Sequence, residues 1–276
     1  MNAKLAPGLY IVATPIGNLG DLSPRAASVL RDADVLCVED SRVTGKLLNH
    51  IGIKRSMMPY HDHNAEAVRP QLIQRMTSES VALTSDAGTP LISDPGYKLV
   101  RDARDAGIPV MTIPGPCAAV AALTVAGLPT DRFLFMGFLP SKAKARDDAI
   151  AEIAAVRATL VFYESGPRLG VMLSALAKGL GDREAGVARE LTKAYEECVT
   201  GSLSVLAARY TDAPPKGEIV VVVAAPGEAV FAIDSDAALI DALKHLSVGQ
   251  AASEVAKLTG IDRRTLYSRA LELKGA

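Results

Sequence analysis

Residues 81–96 read VALTSDAGTPLISDPG, and this stretch decides the fold that the sequence predicts. It begins with a short apolar run, Val81–Thr84, and passes at once into a polar segment rich in glycine and proline. Such a run is typical of a strand in a parallel sheet whose two faces are both covered by helices. The loop after it would lie at the carboxyl end of the strand, where open α/β sheets bind their ligands.

Three other apolar runs in the first half of the chain have the same character, namely Leu9–Ala13, Val35–Val38 and Val110–Ile113. Helix-like segments separate them. Ser23-Pro24 predicts the start of one helix, because serine caps helices and proline suits the first helical position. The alternation of buried strands with helices predicts a mainly parallel α/β sheet.

A second α/β unit is predicted after Asp131. Its strands are expected at Phe133–Phe138, Thr159–Tyr163, Gly186–Arg189, Glu196–Val199 and Glu218–Ala224. Its helices are expected near Arg146–Val156, Arg168–Lys178 and Leu203–Arg209. Residues 226–238 have the composition of a linker, and residues 238–274 have a helical pattern throughout. We therefore expect three domains, over residues 1–120, 121–225 and 239–276.

The composition excludes several classes of protein. The chain has 276 residues and a formal net charge of −1, with 49% apolar and 22% charged residues. It is therefore neither disordered nor fibrous, and it is not a globally basic nucleic-acid-binding protein, although a local basic patch remains open. Cys37, Cys117 and Cys198 form no CxxC pair, so we expect neither a disulfide framework nor a zinc-thiolate site.

One segment has the length of a membrane span. Residues 106–130 carry no charge, but prolines and glycines interrupt them. The N-terminal residues also lack the apolar stretch of a signal peptide. We expect a soluble, cytoplasmic protein.

Three loops are candidates for a ligand site, Gly17–Asp21, Ser85–Gly96 and Pro114–Ala118. Glycine lets the backbone approach a ligand closely, and proline stiffens a loop. Few basic side chains are present, so the loops do not suit a polyphosphate. Backbone groups together with Asp86 suit a ligand that has adenine and amino-acid parts and a positive centre. The alternative is that these turns only reverse the chain.

The sequence contains no P-loop, no GxGxxG after a strand, no GxSxG elbow and no HExxH motif. His61 and His63 alternate as they would on one face of a strand, which is weak evidence for a metal site. A polar loop is the alternative, and we expect no metal.

Seven stretches carry a resemblance to a known family. They are LYIVATPIGNLGDLSPRA (9–26), VEDSRVTGKLL (38–48), LTSDAGTPLISDPG (83–96), TIPGPCAAVAAL (112–123), LVFYESGPR (160–168), ARELTKAYEECVTGSL (188–203) and KGEIVVVV (216–223). With them the chain resembles the tetrapyrrole-methylase-like superfamily of S-adenosylmethionine (SAM) enzymes. It is most similar to the branch that methylates the ribose 2′-hydroxyl of a cytidine in the decoding region of 16S rRNA. Pigment-precursor methylases usually carry GxGxGD and GDP where this chain has GNLGD and SDAGTP, which favours the RNA branch.

The resemblance implies two α/β domains with SAM held between them, largely by main-chain groups. The positions that match its cofactor-binding motifs are Asp86, Thr89, Pro90, Pro114, Gly115, Pro116, Ala118, Phe162, Tyr163 and Ala225. The last of these ends the stretch Gly217–Ala225, which matches the strand near the adenine. The superfamily is commonly homodimeric, which implies a homodimer here.

Methyl transfer to a hydroxyl needs positioning of donor and acceptor, and a base or a cation beside the developing alkoxide would assist it. The candidates follow predicted strand ends, and they are Glu39, Asp40, Glu164, Arg168 and Lys193. Glu39 or Asp40 could instead be a carboxylate at a helix N-terminus, and Arg168 and Lys193 could be surface charges. Arg42, Arg168 and Lys193 are also candidate RNA contacts.

The C-terminal stretch Ser247–Lys274 has a helix-turn-helix-like pattern with a turn at Thr259-Gly260 and a possible N-cap at Asp262. Ala251, Val255 and Leu258 would face the core from the first helix. From the second helix, Leu266, Ala270 and Leu273 would do so. Arg263, Arg264 and Arg269 lie on the second helix and suit phosphate contacts in RNA. A helical cap or dimerisation element with solvated arginines is the alternative.

The sequence therefore predicts a SAM-dependent methyltransferase that acts on 16S rRNA, as free RNA or within the assembled small ribosomal subunit. Two alternatives remain open. One is a methylase of a tetrapyrrole or another small molecule, and the other is a nucleic-acid-binding regulator that senses SAM.

Overall fold

The computed structural model of the protein describes residues 4–227, 235–259 and 261–275. Its backbone forms two compact units, residues 1–225 and 226–276. The strands of the first unit are β1 (Gly8–Val12), β2 (Val35–Val38), β3 (Met58–Pro59), β4 (Ser80–Thr84), β5 (Val110–Ile113), β6 (Phe133–Phe138), β7 (Thr159–Ser165), β8 (Glu184–Arg189), β9 (Glu197–Ser202) and β10 (Glu218–Val223). Its helices are α1 (Pro24–Asp32), α2 (Ser41–His50), α3 (Ala65–Arg75), α4 (Tyr97–Asp105), α5 (Ala118–Val125), α6 (Ala143–Ile153), α7 (Gly166–Leu180) and α8 (Leu203–Asp212). The second unit contains α9 (Ser235–Leu243), α10 (Val248–Thr259) and α11 (Arg263–Gly275).

The first sheet is parallel throughout and has the order β3-β2-β4-β1-β5. This confirms the prediction of a mainly parallel α/β sheet. Strand β3 was not predicted, because its two residues, Met58–Pro59, are too short to show a periodic pattern. The chain leaves β1 towards β2 on one side and leaves β4 towards β5 on the other. This divergence opens a crevice beyond the carboxyl ends of β1 and β4.

Helices cover both faces of the first sheet, which is why its strands read as continuous apolar runs. On one face, Leu9 and Val81 belong to a core that includes side chains of α3 and α4. On the other face, Tyr10 and Leu36 pack in a core with α1 and α2. Helix α1 begins as predicted, because the Ser23 hydroxyl accepts a hydrogen bond from the backbone N–H of Ala26 and Pro24 follows it.

The second sheet has the order β6-β7-β10-β8-β9 and is mixed. Only β6 and β7 are parallel, and the other pairs are antiparallel. Because β10 runs antiparallel to both neighbours, its first residues lie beside the ends of β7 and β8. Glu218 is opposite Ser165, and Ile219 is opposite Arg189. The predicted second α/β unit is present, and its carboxyl edge combines the ends of β6, β7 and β8 with the starts of β9 and β10.

Helix α5 packs on the second sheet although it follows the last strand of the first. Ala119 and Leu123 share a core with Val161 and Val220. The predicted domain boundary between residues 120 and 121 falls inside this helix, so we propose that the boundary lies before it, at residues 114–117.

In the described ranges, no helix is long and apolar enough to cross a membrane.

The second unit is a three-helix bundle whose core side chains are Leu239, Ala252, Val255, Leu266 and Ala270. Asp262 caps α11 as predicted, because its carboxylate accepts the backbone N–H groups of Arg264 and Thr265. Part of the predicted linker, residues 228–234, lies outside the described residues, as does Gly260 of the predicted turn. The side chain of Leu258 is also outside them. Helix α9 already begins at Ser235, within the stretch expected to be linker.

Candidate active site

A first cavity of about 330 Å³ lies where the carboxyl edges of the two sheets face each other. Its walls consist of Ile16, Ala87, Gly88, Thr89, Ile92, Ser93, Asp94, Cys117, Ala118, Phe138, Tyr163, Glu164, Ser165, Leu191, Gly217, Glu218, Ile219 and Val220. The second and third loops predicted as a ligand site therefore contribute to one space, together with Ile16, which precedes the first predicted loop, and the strand edge of the second sheet. A mostly apolar wall with a few polar groups is typical of a small-molecule site.

The loop after β4 is tied to both other loops. Gly88 exchanges two backbone hydrogen bonds with Thr14, at 2.8 and 3.1 Å. The hydroxyl of Thr89 donates to the carbonyl oxygen of Pro116 at 3.0 Å. Gly88 has a φ of +77°, and a Cβ there would lie 3.2 Å from Cγ2 of Ile16. Glycine at this position therefore permits both the left-handed backbone and the close approach of the first loop.

Thr89, Ala118 and Tyr163 are the predicted cofactor contacts that line the first cavity. Pro90 follows Thr89 in the same loop. Pro114, Gly115 and Pro116 form the connection that leads from β5 to Ala118. The structure thus brings the second and third loops together, but these four residues lie outside the cavity wall.

Tyr163 joins the second sheet to the start of α5. Its ring packs edge-on against Phe135 and Phe138, with centroid distances of 4.9 and 5.7 Å. Its hydroxyl oxygen accepts the backbone N–H of Ala119 at 3.2 Å. Burial raises the pKa of Tyr163. The side chain is therefore neutral and holds one end of the cavity wall in place.

Two more predicted cofactor contacts, Phe162 and Ala225, also lie outside the wall of the first cavity. Phe162 precedes Tyr163 on β7, so its side chain points to the opposite face of the sheet, where it is fully buried against α6, α7 and α8. Ala225 follows the far end of β10. Six residues of strand place it roughly 20 Å from Glu218. The stretch Gly217–Ala225 contributes to the cavity through its first residues only.

A second cavity of about 270 Å³ adjoins the first and shares Ile16, Ala87 and Glu218 with it. Its other wall residues are Thr14, Pro15, Gly17, Leu19, Val43, Thr44, Lys46, Leu47, Ser85, Asp86 and Lys193. Asp86 was predicted to contact the cofactor, and the structure places it here rather than in the first cavity. The second cavity is the more charged of the two, with two cations and two carboxylates in its wall.

The connection after β8 docks on the loop after β1. The backbone N–H of Asn18 donates to the hydroxyl of Thr192 at 3.1 Å. Glu190 and Thr192 both have positive φ, at 51° and 66°. A Cβ on Gly17 would clash with the aliphatic stem of Lys193. This close contact between the two sheets' loops encloses both cavities on one side.

Lys193 reaches the second cavity as part of an ion-pair network. Its Nζ lies 2.9 Å from Oε1 of Glu190 and 3.1 Å from Oε2 of Glu218. Burial alone would lower the pKa of Lys193, but the hydrogen bonds to Glu190 and Glu218 outweigh it and the pKa is raised. Lys193 is therefore a fixed positive charge and not a proton acceptor.

Glu39, Asp86 and Asp94 form an acidic cluster near the two cavities. A carboxylate oxygen of Glu39 accepts the backbone N–H of Asp86 at 3.4 Å, and Asp86 accepts the backbone N–H of Asp40 at 3.0 Å. Burial is the main cause that raises the pKa of each of the three carboxyls. In Glu39 the charges of Asp94 and Asp86 raise the pKa further.

Asp40 caps α2, which is one of the two roles left open by the sequence. Its carboxylate accepts the backbone N–H of Arg42 at 2.8 Å and pairs with the Arg42 guanidinium. The hydrogen bonds from the side chain and backbone of Arg42 lower the pKa of Asp40 to about 2. A carboxylate of this acidity is a poor proton acceptor. The Arg42 side chain remains 88% exposed, so it is open to an RNA phosphate beyond this pair.

Glu164 is buried in the wall of the first cavity with Arg168 beside it. Its Oε1 accepts the backbone N–H of Ser165 at 2.8 Å, and its Oε2 lies 3.3 Å from Nη2 of Arg168. The same Nη2 donates to the carbonyl oxygen of Leu139 at 2.6 Å. Arg168 lines neither cavity. Arg168 therefore lies behind the first cavity, in contact with Glu164 and with the backbone of Leu139.

In the second unit the three predicted RNA-binding arginines differ. Arg263 and Arg264 are exposed at the start of α11. Arg269 is held by Asp236 and Glu272, and these hydrogen bonds raise its pKa. Two arginines are thus free for phosphate contacts, while Arg269 links α11 to α9.

Three residues of the two cavities and of helix α11 were not among the predicted site residues. Asp94 lies within the predicted ligand loop Ser85–Gly96, and its place in that loop could have indicated it. Lys46 follows Arg42 by one helical turn on α2 and lines the second cavity. Tyr267 follows Arg263 by one turn on α11 and is 43% exposed.

His61 and His63 do not lie on a strand. They follow β3 in the turn before α3, with ring centroids 5.9 Å apart. The short strand ends at Pro59, so the alternation of the histidines reflects a loop. Within residues 4–227, 235–259 and 261–275, no three His, Cys, Asp or Glu side chains are grouped to hold a metal ion.

A sequence model of the tetrapyrrole (corrin/porphyrin) methylases matches residues 8–207. The chain belongs to the tetrapyrrole methylase family. A second model, described as the RsmI C-terminal HTH domain, matches residues 229–274 of this methylase. The two matches follow the two units of the structure and confirm the predicted fold class, an α/β methylase with a C-terminal helical module.

Two curated relatives resemble this methylase over nearly its whole length. Ribosomal RNA small subunit methyltransferase I from Erythrobacter litoralis is 57% identical over 272 residues, which are 98% of this chain and 96% of that protein. The protein of the same name from Mesorhizobium japonicum is 50% identical and covers 98% of this chain, which itself spans 93% of that protein. The resemblance found in the sequence motifs is therefore confirmed.

A solved structure has the same fold at low sequence identity. It is uroporphyrin-III C-methyltransferase from Thermus thermophilus in complex with S-adenosylhomocysteine. It is 19% identical with a TM-score of 0.53, and the match covers 78% of this methylase and 96% of that chain.

Proposed function

We propose that this methylase transfers the methyl group of SAM to small-subunit ribosomal RNA, at the ribose 2′-hydroxyl of a cytidine in the decoding region of 16S rRNA. The observation that carries the proposal is the first cavity. It joins the three loops of the family motifs to the carboxyl edge of the second sheet in one small-molecule site. The relatives' names supply the substrate class.

SAM fits the first cavity by size and by chemistry. A volume of about 330 Å³ falls within the range of small-molecule pockets. The wall offers apolar surface at Ile16, Leu191 and Val220, and the buried carboxylate of Glu164 supplies negative charge for a cationic ligand. When bound, SAM supplies an activated methyl group on a sulfonium.

The second cavity suits the acceptor nucleotide. It adjoins the first through Ile16 and Ala87, so a ribose there would lie next to the donor site. Lys46 and Lys193 in its wall suit the negative charge of a phosphate. Holding donor and acceptor side by side is the main contribution that a protein makes to such a displacement.

The helical unit supplies further RNA contacts in this proposal. Arg263 and Arg264 present positive charge at the start of α11, and Tyr267 on the same face offers a ring for stacking. We also propose a homodimer and action in the cytoplasm, where the ribosomal substrate is found.

Methyl transfer from labelled SAM tests the proposed function. The full chain is incubated with small ribosomal subunits, with naked 16S rRNA and with a tetrapyrrole precursor. We expect label in rRNA, and mapping should place it on the 2′-oxygen of one cytidine. Label in the tetrapyrrole alone would refute the proposal, and SAM binding without transfer to any acceptor would indicate a sensor instead.

Genomic deletion gives an independent measurement. In a strain that lacks the gene, one cytidine of 16S rRNA should lose its 2′-O-methyl group, and the wild-type gene should restore it. If every ribose methylation persists in the deletion strain, the proposed substrate is wrong.

A further inference from the structure

Asp94 differs from the other carboxylates of the first cavity in having no cationic partner. Three carboxylates line this cavity, Asp94, Glu164 and Glu218. Glu164 lies 3.3 Å from the Arg168 guanidinium, and Glu218 lies 3.1 Å from the Lys193 ammonium. Among residues 4–227, no lysine or arginine lies within ion-pair distance of Asp94. Among these three carboxylates, Asp94 is therefore the one whose charge no lysine or arginine of residues 4–227 balances.

The groups that face Asp94 favour its protonated form. The Ser85 hydroxyl is a hydrogen-bonding neighbour, and Asp86, Asp62 and Glu39 are the charged groups around it. Burial raises the pKa of Asp94, the Ser85 hydrogen bond lowers it, and the charges of Asp86 and Asp62 raise it again, so that the net change is upward. Tyr163 also faces Asp94 and is neutral.

The backbone around Asp94 is held in an unusual conformation. Leu91 and Ser93 both have left-handed backbone, with φ of 76° and 64°. Non-glycine residues in this region are strained, and such strain clusters at functional sites. The segment directs Asp94 into the cavity wall beside Ile92 and Ser93.

We propose that Asp94 is the general base that accepts the proton of the acceptor hydroxyl, where that hydroxyl enters the first cavity from the adjoining second cavity to meet the methyl group. This inference rests on the proposed function. In the step, the hydroxyl O–H bond breaks and its proton moves to the Asp94 carboxylate, while the oxygen forms a bond to the methyl carbon. The carbon–sulfur bond breaks and its electron pair remains on sulfur, which becomes a neutral thioether. Asp94 then releases the proton to solvent.

The other acidic candidates lack one requirement each. Glu39 is bound to the backbone N–H of Asp86 and is not part of the first cavity wall. Asp40 caps α2 and pairs with Arg42. Glu164 is buried against Arg168. Only Asp94 combines a place in the first cavity wall with freedom from an ion pair among the described residues.

Single-turnover methyl transfer to small ribosomal subunits tests this role. Asp94→Asn keeps the size of the side chain and removes the base, so the rate should fall by about 100-fold or more. The affinity for S-adenosylhomocysteine, measured by calorimetry, should fall much less than the rate, because asparagine keeps the shape and polarity of this part of the cavity wall. Asp62→Asn is the matched control, a neighbouring carboxylate outside both cavities. It should transfer at the wild-type rate at a pH where Asp94 is ionised, and its rate should rise at lower pH than that of wild type because the charge of Asp62 raises the pKa of Asp94. Asp94→Glu should restore part of the lost rate.

The pH profile provides the readout that a structural role would not change. The wild-type rate should rise with pH as Asp94 ionises, and Asp94→Asn should lose this rise. Transfer by Asp94→Asn at nearly the wild-type rate would overturn the inference. So would a loss of S-adenosylhomocysteine affinity as large as the loss of rate. Absence of rRNA methylation by the wild-type protein would refute the proposed function itself, a different outcome from unchanged methylation in the variant.

Discussion

Gly88 lies at the point where three chain segments meet. Its backbone pairs with Thr14 from the loop after β1, and the next residue, Thr89, is bonded to Pro116 before α5. The left-handed φ of Gly88 and the nearby Ile16 side chain leave no room for a Cβ without adjustment. The distance between the loops that form the first cavity therefore depends on the absence of a side chain at Gly88.

We expect Gly88→Ala to lower both stability and SAM affinity. The left-handed backbone costs about 1–2 kcal/mol with a Cβ. The displaced Ile16 would also narrow the first cavity, and we expect roughly tenfold weaker SAM binding from a clash of about 1–3 kcal/mol. Urea unfolding and calorimetry measure the two effects.

Gly107→Ala is the matched control, because Gly107 has a φ of +70° and a Cβ there would meet nothing within 4 Å. It should lose similar stability and keep its SAM affinity. Equal loss of SAM affinity in both variants would show that strain, and not the cavity, is responsible.

Helix α2 carries two different groups of the candidate site on one element. Its N-cap, Asp40, is bound to the helix backbone and to Arg42. Lys46, one helical turn after Arg42, lines the second cavity. The start of α2 is thus structural, and the face towards the cavity is open to a ligand. The sequence alone left both roles of Asp40 open, because a carboxylate after a strand suits a cap and a catalytic base equally.

Asp40→Ala should lower the melting temperature at pH 7, since the variant has neither the cap nor the ion pair. The folded pKa of Asp40 is about 2, below the usual value for aspartate. Its contribution to stability is therefore present above the unfolded pKa and is lost as the pH falls through about 2. The difference between wild type and Asp40→Ala should therefore shrink as the pH falls through about 2, because the ion pair with Arg42 is lost.

Asp40→Asn separates the two contributions, because asparagine caps helices nearly as well as aspartate. It should keep most of the stability and a methyl-transfer rate near that of wild type. A large loss of transfer in a stably folded Asp40→Asn protein would mean that Asp40 takes part in the chemistry.

The whole molecule has its positive charge concentrated near the C-terminus. The overall charge of −1 hides a basic segment, residues 244–276, with six Lys+Arg and three Asp+Glu. In it Arg263 and Arg264 are exposed, while Arg269 is paired with Asp236 and Glu272. The matched family models divide at the same place, with one ending at residue 207 and the other beginning at residue 229. Cofactor binding and RNA contact can therefore be tested separately.

We expect Arg263→Ala combined with Arg264→Ala to weaken rRNA binding and to leave SAM binding unchanged. Each arginine–phosphate interaction that the double variant removes should reduce the slope of log affinity against log salt by about 0.7, the value for single strands. Filter binding over a salt series measures the slope. Arg269→Ala should instead lower the stability of the helical unit. If Arg269→Ala changes the salt slope as much as the double variant, the division of roles among these arginines is wrong.

The sequence by itself determined the features that depend on local pattern. The buried strands, the first parallel sheet, the Ser23 and Asp262 caps and the three glycine-rich loops followed from short-range preferences and from the family motifs. The family motifs predicted Thr89, Ala118 and Tyr163 as cofactor contacts, and these three line the first cavity.

Only the tertiary structure decided which of these loops share a cavity. The insertion of β10 between β7 and β8 brings Glu218 to the site and takes Ala225 to the opposite edge, and no local pattern contains that order. The packing of α5 on the second sheet, the pairing of Glu164 with Arg168 and the unpaired state of Asp94 are likewise set by distant segments of the chain. These features depend on burial and charge in the folded chain, because residues far apart in sequence come into contact there.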